Sequence, residues 1–206
     1  FVGKTITTLR ELDAQTACWR TVGGVLAWVR RAAIGIMMLL GPYNYPFNET
    51  YAVLIPALLM GNCVVMKLPA IGGLAHILTM ETFAKVLPPG VINFLPGRGA
   101  QIGDQVLTHR SLAGLHFTGG TTTFQHMWST IGNNIASYAT YPRIVGETGG
   151  KDFILAHSSA DKQALAVAIA RGGFEYQGQK CSAASRIYIP KSLWTDVRDR
   201  VVSIIE

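Results

Sequence analysis

The chain has 206 residues, of which 49% are hydrophobic and only 15% are charged. This composition is typical of a globular protein with a large core and excludes an intrinsically disordered chain. The net charge of +6 comes from Lys and Arg residues that are scattered rather than clustered, which argues against a nucleic-acid-binding surface.

The ends of the chain and its most apolar run bear on targeting. Residues 32–40 form the longest apolar run, which is too short to span a bilayer. The first residues, FVGKTITTLRELD, lack the apolar segment of a signal peptide. Because the chain does not begin with Met and stops in an amphipathic, helix-like stretch, we expect a fragment or a processed product.

Short apolar runs alternate along the chain with longer helix-like segments. Strands are predicted at residues 33–40, 62–68, 91–97, 113–120, 143–150, 152–157 and 185–192. Helices are predicted at residues 50–61, 72–87, 122–138, 160–176 and 193–206. Pro56 indicates that the first of these helices is kinked or begins late. The alternation predicts an α/β fold with a parallel sheet, in which ligands bind beyond the carboxyl ends of the strands.

The three cysteines limit the chemistry of the chain. Cys18, Cys63 and Cys181 are far apart, and none stands at zinc-ligand spacing from a second Cys or a His, so no metal site is predicted. An odd number of cysteines also argues against a disulfide framework. Cys181, in GQKCSAAS, is therefore either a buried structural residue or a reactive thiol.

Two glycine-containing turns are candidates for nucleotide binding. Gly97 and Gly99 follow a predicted strand, but the G-x-G-x-x-x-G spacing departs from the dinucleotide fingerprint, and an ordinary glycine turn is the alternative. In FTGG, residues 117–120, a strand ends just before a helix begins. The N–H groups of such a helix start can hold a pyrophosphate, although a tight connecting turn would have the same sequence.

Two polar residues are candidates for catalysis. Glu147 lies between apolar runs, and a buried carboxylate there would have a raised pKa and could act as a general base. The alternative is a structural Glu paired with Lys151. Asn44, in GPYNYPF, could donate its side-chain N–H to an oxyanion, or it could simply form a turn.

Five motifs occur in the same order as in one protein family. They are GPYNYPF at 41–47, PALLMGNCVVMK at 56–67, FTGG at 117–120, ETGGK at 147–151 and GQKC at 178–181. In these motifs and in their spacing the chain resembles the NAD(P)-dependent aldehyde dehydrogenases over residues 22–206.

The resemblance implies a catalytic role for three residues. Cys181 would be the thiol that attacks the aldehyde carbon and carries a thiohemiacetal and then a thioester. Asn44 and the backbone N–H of Cys181 would stabilise the oxyanion. Glu147 would activate the water that hydrolyses the thioester.

The resemblance also implies a cofactor, NAD or NADP, and a set of residues around it. Lys67 would bind the adenosine ribose, and Ala70 stands where many NAD-preferring relatives have an acidic residue, so NADP should be tolerated. The other expected cofactor-binding residues are Tyr43, Gly97, Gly99, Phe117, Thr118, Gly119, Gly120 and Thr148.

Two subgroups of the family compete for the substrate. From Leu112 onward the chain resembles glutamate-semialdehyde (Δ1-pyrroline-5-carboxylate) dehydrogenases, which implies oxidation of L-glutamate γ-semialdehyde in proline catabolism. The earlier stretch, residues 41–75, resembles non-phosphorylating glyceraldehyde-3-phosphate dehydrogenases. Ser182 would contact a substrate carboxylate, or it could be a structural hydroxyl. A non-catalytic nucleotide-binding or scaffold subunit is a further alternative.

The resemblance finally implies a domain organisation and a cellular setting. Residues 1–30 would form an N-terminal helical flank, residues 31–149 a Rossmann-like NAD(P)-binding domain, and residues 150–206 the start of an α/β catalytic domain. This chain alone would be inactive. The full-length enzyme would be a homo-oligomer without nucleic-acid or membrane partners, located in the mitochondrial matrix of a eukaryote or otherwise in the cytoplasm.

Overall fold

Five parallel strands form the main sheet, in the order β5-β4-β3-β6-β7. The computed structural model describes residues 1–206 and contains two compact units, residues 1–147 and 148–206. The strands of the main sheet are β3 (Ile36–Leu40), β4 (Cys63–Lys67), β5 (Ile92–Leu95), β6 (Leu112–Thr118) and β7 (Arg143–Glu147). The α/β fold with a parallel sheet is therefore confirmed.

Helices cover both faces of this sheet. They are α2 (Asn48–Leu59), α3 (Gly73–Ala84), α4 (Gly99–Leu107) and α5 (Thr121–Asn133). Alternate residues of the strands pack on the two sides: Leu39 and Met66 lie with the helices α2 and α3, while Leu40 and Phe117 lie with α4 and α5. Strands covered in this way read as continuous apolar runs, which explains why the sequence identified them.

The first 30 residues are helical only in their first half. The helix α1 (Val2–Thr16) is followed by the antiparallel strands β1 (Trp19–Val22) and β2 (Val25–Trp28). Gly23 and Gly24 join them, both with positive φ, which is the backbone that a tight two-residue hairpin turn requires. The prediction of a helical flank therefore holds for residues 2–16 and is wrong for residues 19–28, because VGGV forms a hairpin turn.

Two helices of the first unit differ from the sequence-based prediction. The helix α2 begins at Asn48 and continues past Pro56, so a late start is wrong. The helix α4 was not predicted at all, because Gly99 and Gly103 lower the helix propensity of its nine residues. No helix of the chain has the length and apolar character needed to cross a membrane.

The second unit is built on a two-stranded parallel sheet. Its elements are β8 (Asp152–Leu155), α6 (Lys162–Phe174), β9 (Ala184–Tyr188) and α7 (Lys191–Ile205). The two helices pack together through buried apolar side chains, among them Leu165, Ile169 and Val197. The side chain of Asp161 caps the N-terminus of α6, because it accepts a hydrogen bond of 2.7 Å from the N–H of Ala164.

A fully buried histidine lies in the first unit. His76 on α3 is fully buried, its Nδ1 lies 3.3 Å from the Tyr51 hydroxyl, and its Nε2 has no partner. Burial lowers the pKa of His76 below its usual value, because it disfavours the imidazolium. Burial likewise lowers the pKa of His116, against the opposing charges of Glu147 and Glu49.

We therefore expect the free energy of unfolding to decrease as the pH falls below about 6.5, where the histidines of the unfolded chain take up protons. The decrease continues down to the lowered pKa values of the folded state. His76→Phe removes one of the two histidines whose pKa is lowered by burial. The variant should therefore lose less stability than the wild type between about pH 7.5 and about pH 5.5. Urea midpoints at the two pH values measure this, and an unchanged acid loss in the variant would show that His76 contributes nothing.

Candidate active site

The strand register aligns several of the candidate residues along the carboxyl edge of the main sheet. Leu40 pairs with Lys67 on one side and with Phe117 on the other. One residue further along, Thr118 pairs with Glu147. Neighbouring strands lie about 4.8 Å apart, so this edge brings the ends of β4, β3, β6 and β7 together.

The strand order also locates the ligand crevice. From β3 the chain passes to β4 on one side, and β6 later takes the place on the other side. The loops after β3 and β6 therefore diverge, which is the point where open α/β sheets bind their ligands. Those two loops contain GPYNYPF and FTGG.

The loop after β3 is tied closely to the helix that follows it. A Cβ at Gly41 would lie 2.0 Å from Oγ1 of Thr50, so only glycine allows this approach. Within the loop, Asn44 is half-buried and Tyr43 is exposed. The structure thus places both candidates at the carboxyl end of the central strand β3, where a bound ligand would lie.

The turn between β6 and α5 has the features of an anion-binding site. Gly120 precedes α5 in an extended conformation, and no side chain caps the helix. The first N–H groups of the helix are therefore not satisfied by a capping side chain. Oγ1 of Thr118 is buried and has no hydrogen-bond partner in the protein. A buried hydroxyl of this kind is energetically unfavourable until a ligand or a water bonds to it.

Gly119 contributes to this turn because it has no side chain, and not by donating its N–H to a ligand. Its N–H donates a hydrogen bond of 3.0 Å to the carbonyl of Glu147, so it is already engaged. A Cβ at Gly119 would lie 2.5 Å from the ring of Phe117. Gly119 therefore lets the Phe117 ring fold back against the turn.

A second helix begins at the same edge of the sheet. Gly97, after β5, has φ +132°, which favours glycine, and α4 then begins at Gly99 without a side-chain cap. Lys67, at the end of β4, is half-buried, and Ala70 is exposed in the loop beyond it. The glycines thus form a strand-to-helix turn, although not one with the fingerprint spacing.

Glu147 differs from the expectation derived from its apolar neighbours. Its side chain is exposed at the end of β7, so the expectation of a buried carboxylate is wrong. None of the salt bridges of the chain involves Glu147. His116 pairs with Val145, two residues before Glu147, so that His116 and Glu147 lie on the same face of the sheet.

The second unit presents Cys181 in an exposed loop. All three cysteines are free, and the side chain of Cys181 is exposed, so it is not a buried structural residue. Before it, Tyr176 and Gln177 both have φ +53°, a left-handed conformation that non-glycine residues rarely adopt. Glu175 is hydrogen-bonded to Lys180, and this bond, with a further contribution from Arg171, lowers the pKa of the Glu175 carboxyl.

The remaining candidates of the second unit flank this loop. Thr148 is half-buried at the start of the unit. Ser182 is exposed and lines a groove along α6, together with Ala168, Arg171 and Lys180. Both basic side chains are paired with Glu175, which lines the same groove.

The edge of the main sheet fits a dinucleotide cofactor. Two uncapped helix starts could accept the pyrophosphate, and the unpartnered hydroxyl of Thr118 lies beside one of them. Lys67, the last residue of β4, adds a positive charge at the same edge of the sheet.

Comparison with known proteins defines the class to which this fold belongs. Residues 2–206 match the aldehyde dehydrogenase family, and the chain belongs to that family.

Its relatives include Δ1-pyrroline-5-carboxylate dehydrogenases. It is 42% identical over 172 residues to the mitochondrial enzyme of Dictyostelium discoideum, an alignment that covers 82% of this chain and 31% of the relative. It is 38% identical over 175 residues to the human mitochondrial enzyme, covering 84% of this chain and 31% of the relative. The chain thus spans about a third of the length of these relatives.

Solved structures agree with this fold. The crystal structure of Δ-pyrroline-5-carboxylate dehydrogenase from Mycobacterium tuberculosis bound with NAD has a TM-score of 0.79 at 39% identity, covering 97% of this chain and 37% of the other. The betaine aldehyde dehydrogenase of Staphylococcus aureus in complex with NAD+ has a TM-score of 0.86 at 25% identity, covering 99% and 40%.

Proposed function

We propose that the protein oxidises an aldehyde to a carboxylate with NAD or NADP, and that the aldehyde is L-glutamate γ-semialdehyde. The main support is the alignment of Lys67, Thr118 and Glu147 along the carboxyl edge of the sheet in a chain of the aldehyde dehydrogenase family. The relatives named as Δ1-pyrroline-5-carboxylate dehydrogenases support the choice of substrate.

In this proposal Cys181 is the nucleophile. Its thiolate attacks the aldehyde carbon, and the side-chain N–H of Asn44 and the backbone N–H of Cys181 stabilise the oxyanion of the thiohemiacetal. The nicotinamide cofactor, when bound, supplies the acceptor for the hydride that leaves this adduct. The resulting thioester remains on Cys181 until water attacks it.

Glu147 is the general base for that last step. An exposed carboxylate can reach a water molecule, and it takes the proton as the water attacks the thioester carbon. The thiolate of Cys181 is then the leaving group, which restores the nucleophile for the next cycle.

The remaining candidates would bind the cofactor and the substrate. Lys67 would contact the adenosine ribose, and the absence of a carboxylate at Ala70 would leave a 2′-phosphate unopposed. Ser182 would donate to the substrate carboxylate. The residues that would surround the rest of the cofactor are Tyr43, Gly97, Gly99, Phe117, Thr118, Gly119, Gly120 and Thr148.

The proposal extends to the setting of the enzyme. Residues 31–149 would be the nucleotide-binding domain, and residues 150–206 the start of the catalytic domain. The enzyme would act in proline catabolism as a homo-oligomer. In a eukaryote it would be located in the mitochondrial matrix, and the support is that the names of the eukaryotic relatives include the word mitochondrial.

The choice of substrate is tested by kinetics on the intact protein. We expect kcat/KM for glutamate semialdehyde to exceed that for glyceraldehyde 3-phosphate by at least about tenfold, which is about 1.4 kcal/mol of transition-state binding. Turnover of the phosphorylated aldehyde without turnover of the semialdehyde would favour the non-phosphorylating glyceraldehyde-3-phosphate dehydrogenases. Cofactor binding without oxidation of any aldehyde would favour the non-catalytic subunit.

A further inference from the structure

Gly150 lies against the backbone of the loop that carries Cys181. A Cβ at Gly150 would lie 2.6 Å from the carbonyl oxygen of Cys181 and 2.9 Å from Oδ1 of Asp152. A side chain could rotate away from such an overlap, but a main-chain carbonyl cannot. The same construction at the preceding residue, Gly149, meets nothing within 4 Å.

The segment that carries Gly150 is held in place by further contacts with the other side of the same loop. A guanidinium nitrogen of Arg186 donates a hydrogen bond of 3.1 Å to the carbonyl of Lys151. Asp152 pairs with Ala184 at the start of the β8–β9 ladder. Because the residues after Gly150 are bound to the residues after Cys181, the segment is not free to withdraw from the loop.

The opposite side of the loop is also constrained. Tyr176, Gln177 and Gly178 have consecutive left-handed conformations, and a Cβ at Gly178 would lie 2.9 Å from the carbonyl of Gly173. Lys180, next to the cysteine, is hydrogen-bonded to Glu175. Because both flanks are held, a side chain added at position 150 would displace the backbone of Cys181 itself.

We infer that Gly150 is a positioning residue for Cys181. Because it has no side chain, the backbone of the nucleophile can lie close to the segment before β8. This inference rests on the proposed role of Cys181. Relief of a 2.6 Å contact requires a movement of about half an ångström or more. Catalytic groups need placement to within about 0.5 Å, and a misplacement of about 1 Å can reduce a rate by about 10²-fold.

The test compares Gly150→Ala with its neighbour Gly149→Ala in the intact protein. Both changes add one methyl group and remove one glycine, so they share any effect on chain entropy. We expect the rate constant of the first turnover, measured as the burst of reduced cofactor, to fall by about 10- to 100-fold in Gly150→Ala alone. The Kd of NAD should stay within about twofold of wild type in both variants, since the glycine contacts Cys181 rather than the cofactor site.

Equal burst rates in the two variants would overturn the inference, as would a loss confined to NAD affinity. If Gly150→Ala does not fold, the variant Arg186→Gln tests the inference instead. It removes the hydrogen bond to the Lys151 carbonyl without adding volume. A burst slowed by at least about threefold at unchanged Kd supports positioning, and an unchanged burst contradicts it. The Cys181→Ala variant separates this result from failure of the proposed function, because turnover in that variant would refute the nucleophile itself.

Discussion

Replacing Cys181 with alanine is expected to reduce aldehyde oxidation by at least about 10⁴-fold, because no other group would form the covalent adduct from which the hydride leaves. Cofactor binding should be nearly unchanged, since the proposed cofactor residues other than Thr148 belong to the first unit. Steady-state kinetics and NAD titration of the intact protein measure the two effects.

Cys63 provides the matched control for this experiment. Its side chain is exposed, like that of Cys181. Cys63 is the first residue of β4, so it lies at the amino end of the strand, whereas Lys67 lies at the carboxyl end. Cys63→Ala should therefore retain turnover within about twofold of the wild type, as is usual for surface substitutions. Normal turnover in Cys181→Ala, or complete loss in Cys63→Ala, would contradict the assignment of the nucleophile.

Replacing Glu147 with glutamine should give a different kinetic pattern. Glutamine keeps the size of the side chain, but its NH2 group donates where the carboxylate accepts, and it cannot take a proton from water. The first turnover should proceed, and the reaction should then stall at the thioester, with steady-state turnover reduced by about 10²- to 10⁴-fold. Rapid-mixing measurements should show a burst close to one reduced cofactor per active site.

Glu49 offers the corresponding control for the loss of a carboxylate. It lies on α2, and like Glu147 it acts electrostatically on His116. Glu49→Gln removes a similar charge but not the proposed base, so its steady-state rate should stay within about threefold of the wild type. Equal stalling in both variants would mean that the charge near His116, rather than proton transfer by Glu147, controls the reaction.

Much of the fold was predictable because buried parallel strands have a strong sequence signal. The apolar runs around Met38, Met66 and Leu115 identified three adjacent strands of the main sheet. The elements that were missed depend on glycine. Gly23 and Gly24 form the hairpin turn by adopting positive φ, and Gly99 begins α4 despite its low helix propensity.

For the candidate site, the sequence motifs nominate residues but do not specify the environment of each one. Apolar neighbours suggested that Glu147 is buried, yet it is the last residue of an edge strand, and its side chain reaches solvent. The engagement of the Gly119 N–H and the contact of Gly150 with the Cys181 carbonyl depend on the paths of two chain segments. Sequence motifs do not specify such distances, because each segment reads as an ordinary glycine turn on its own.

The central claim is that a thioester forms on Cys181, and mass spectrometry of Glu147→Gln tests it most directly. Trypsin cleaves after Lys180 and Arg186, so Cys181 lies alone in the peptide CSAASR, while Cys63 lies in the peptide 32–67. After incubation with NAD and glutamate semialdehyde and rapid acid quenching, we predict that CSAASR carries the mass of the glutamate acyl group. An unmodified CSAASR peptide despite a burst of reduced cofactor, or an acyl group on the peptide 32–67 instead, would contradict the account.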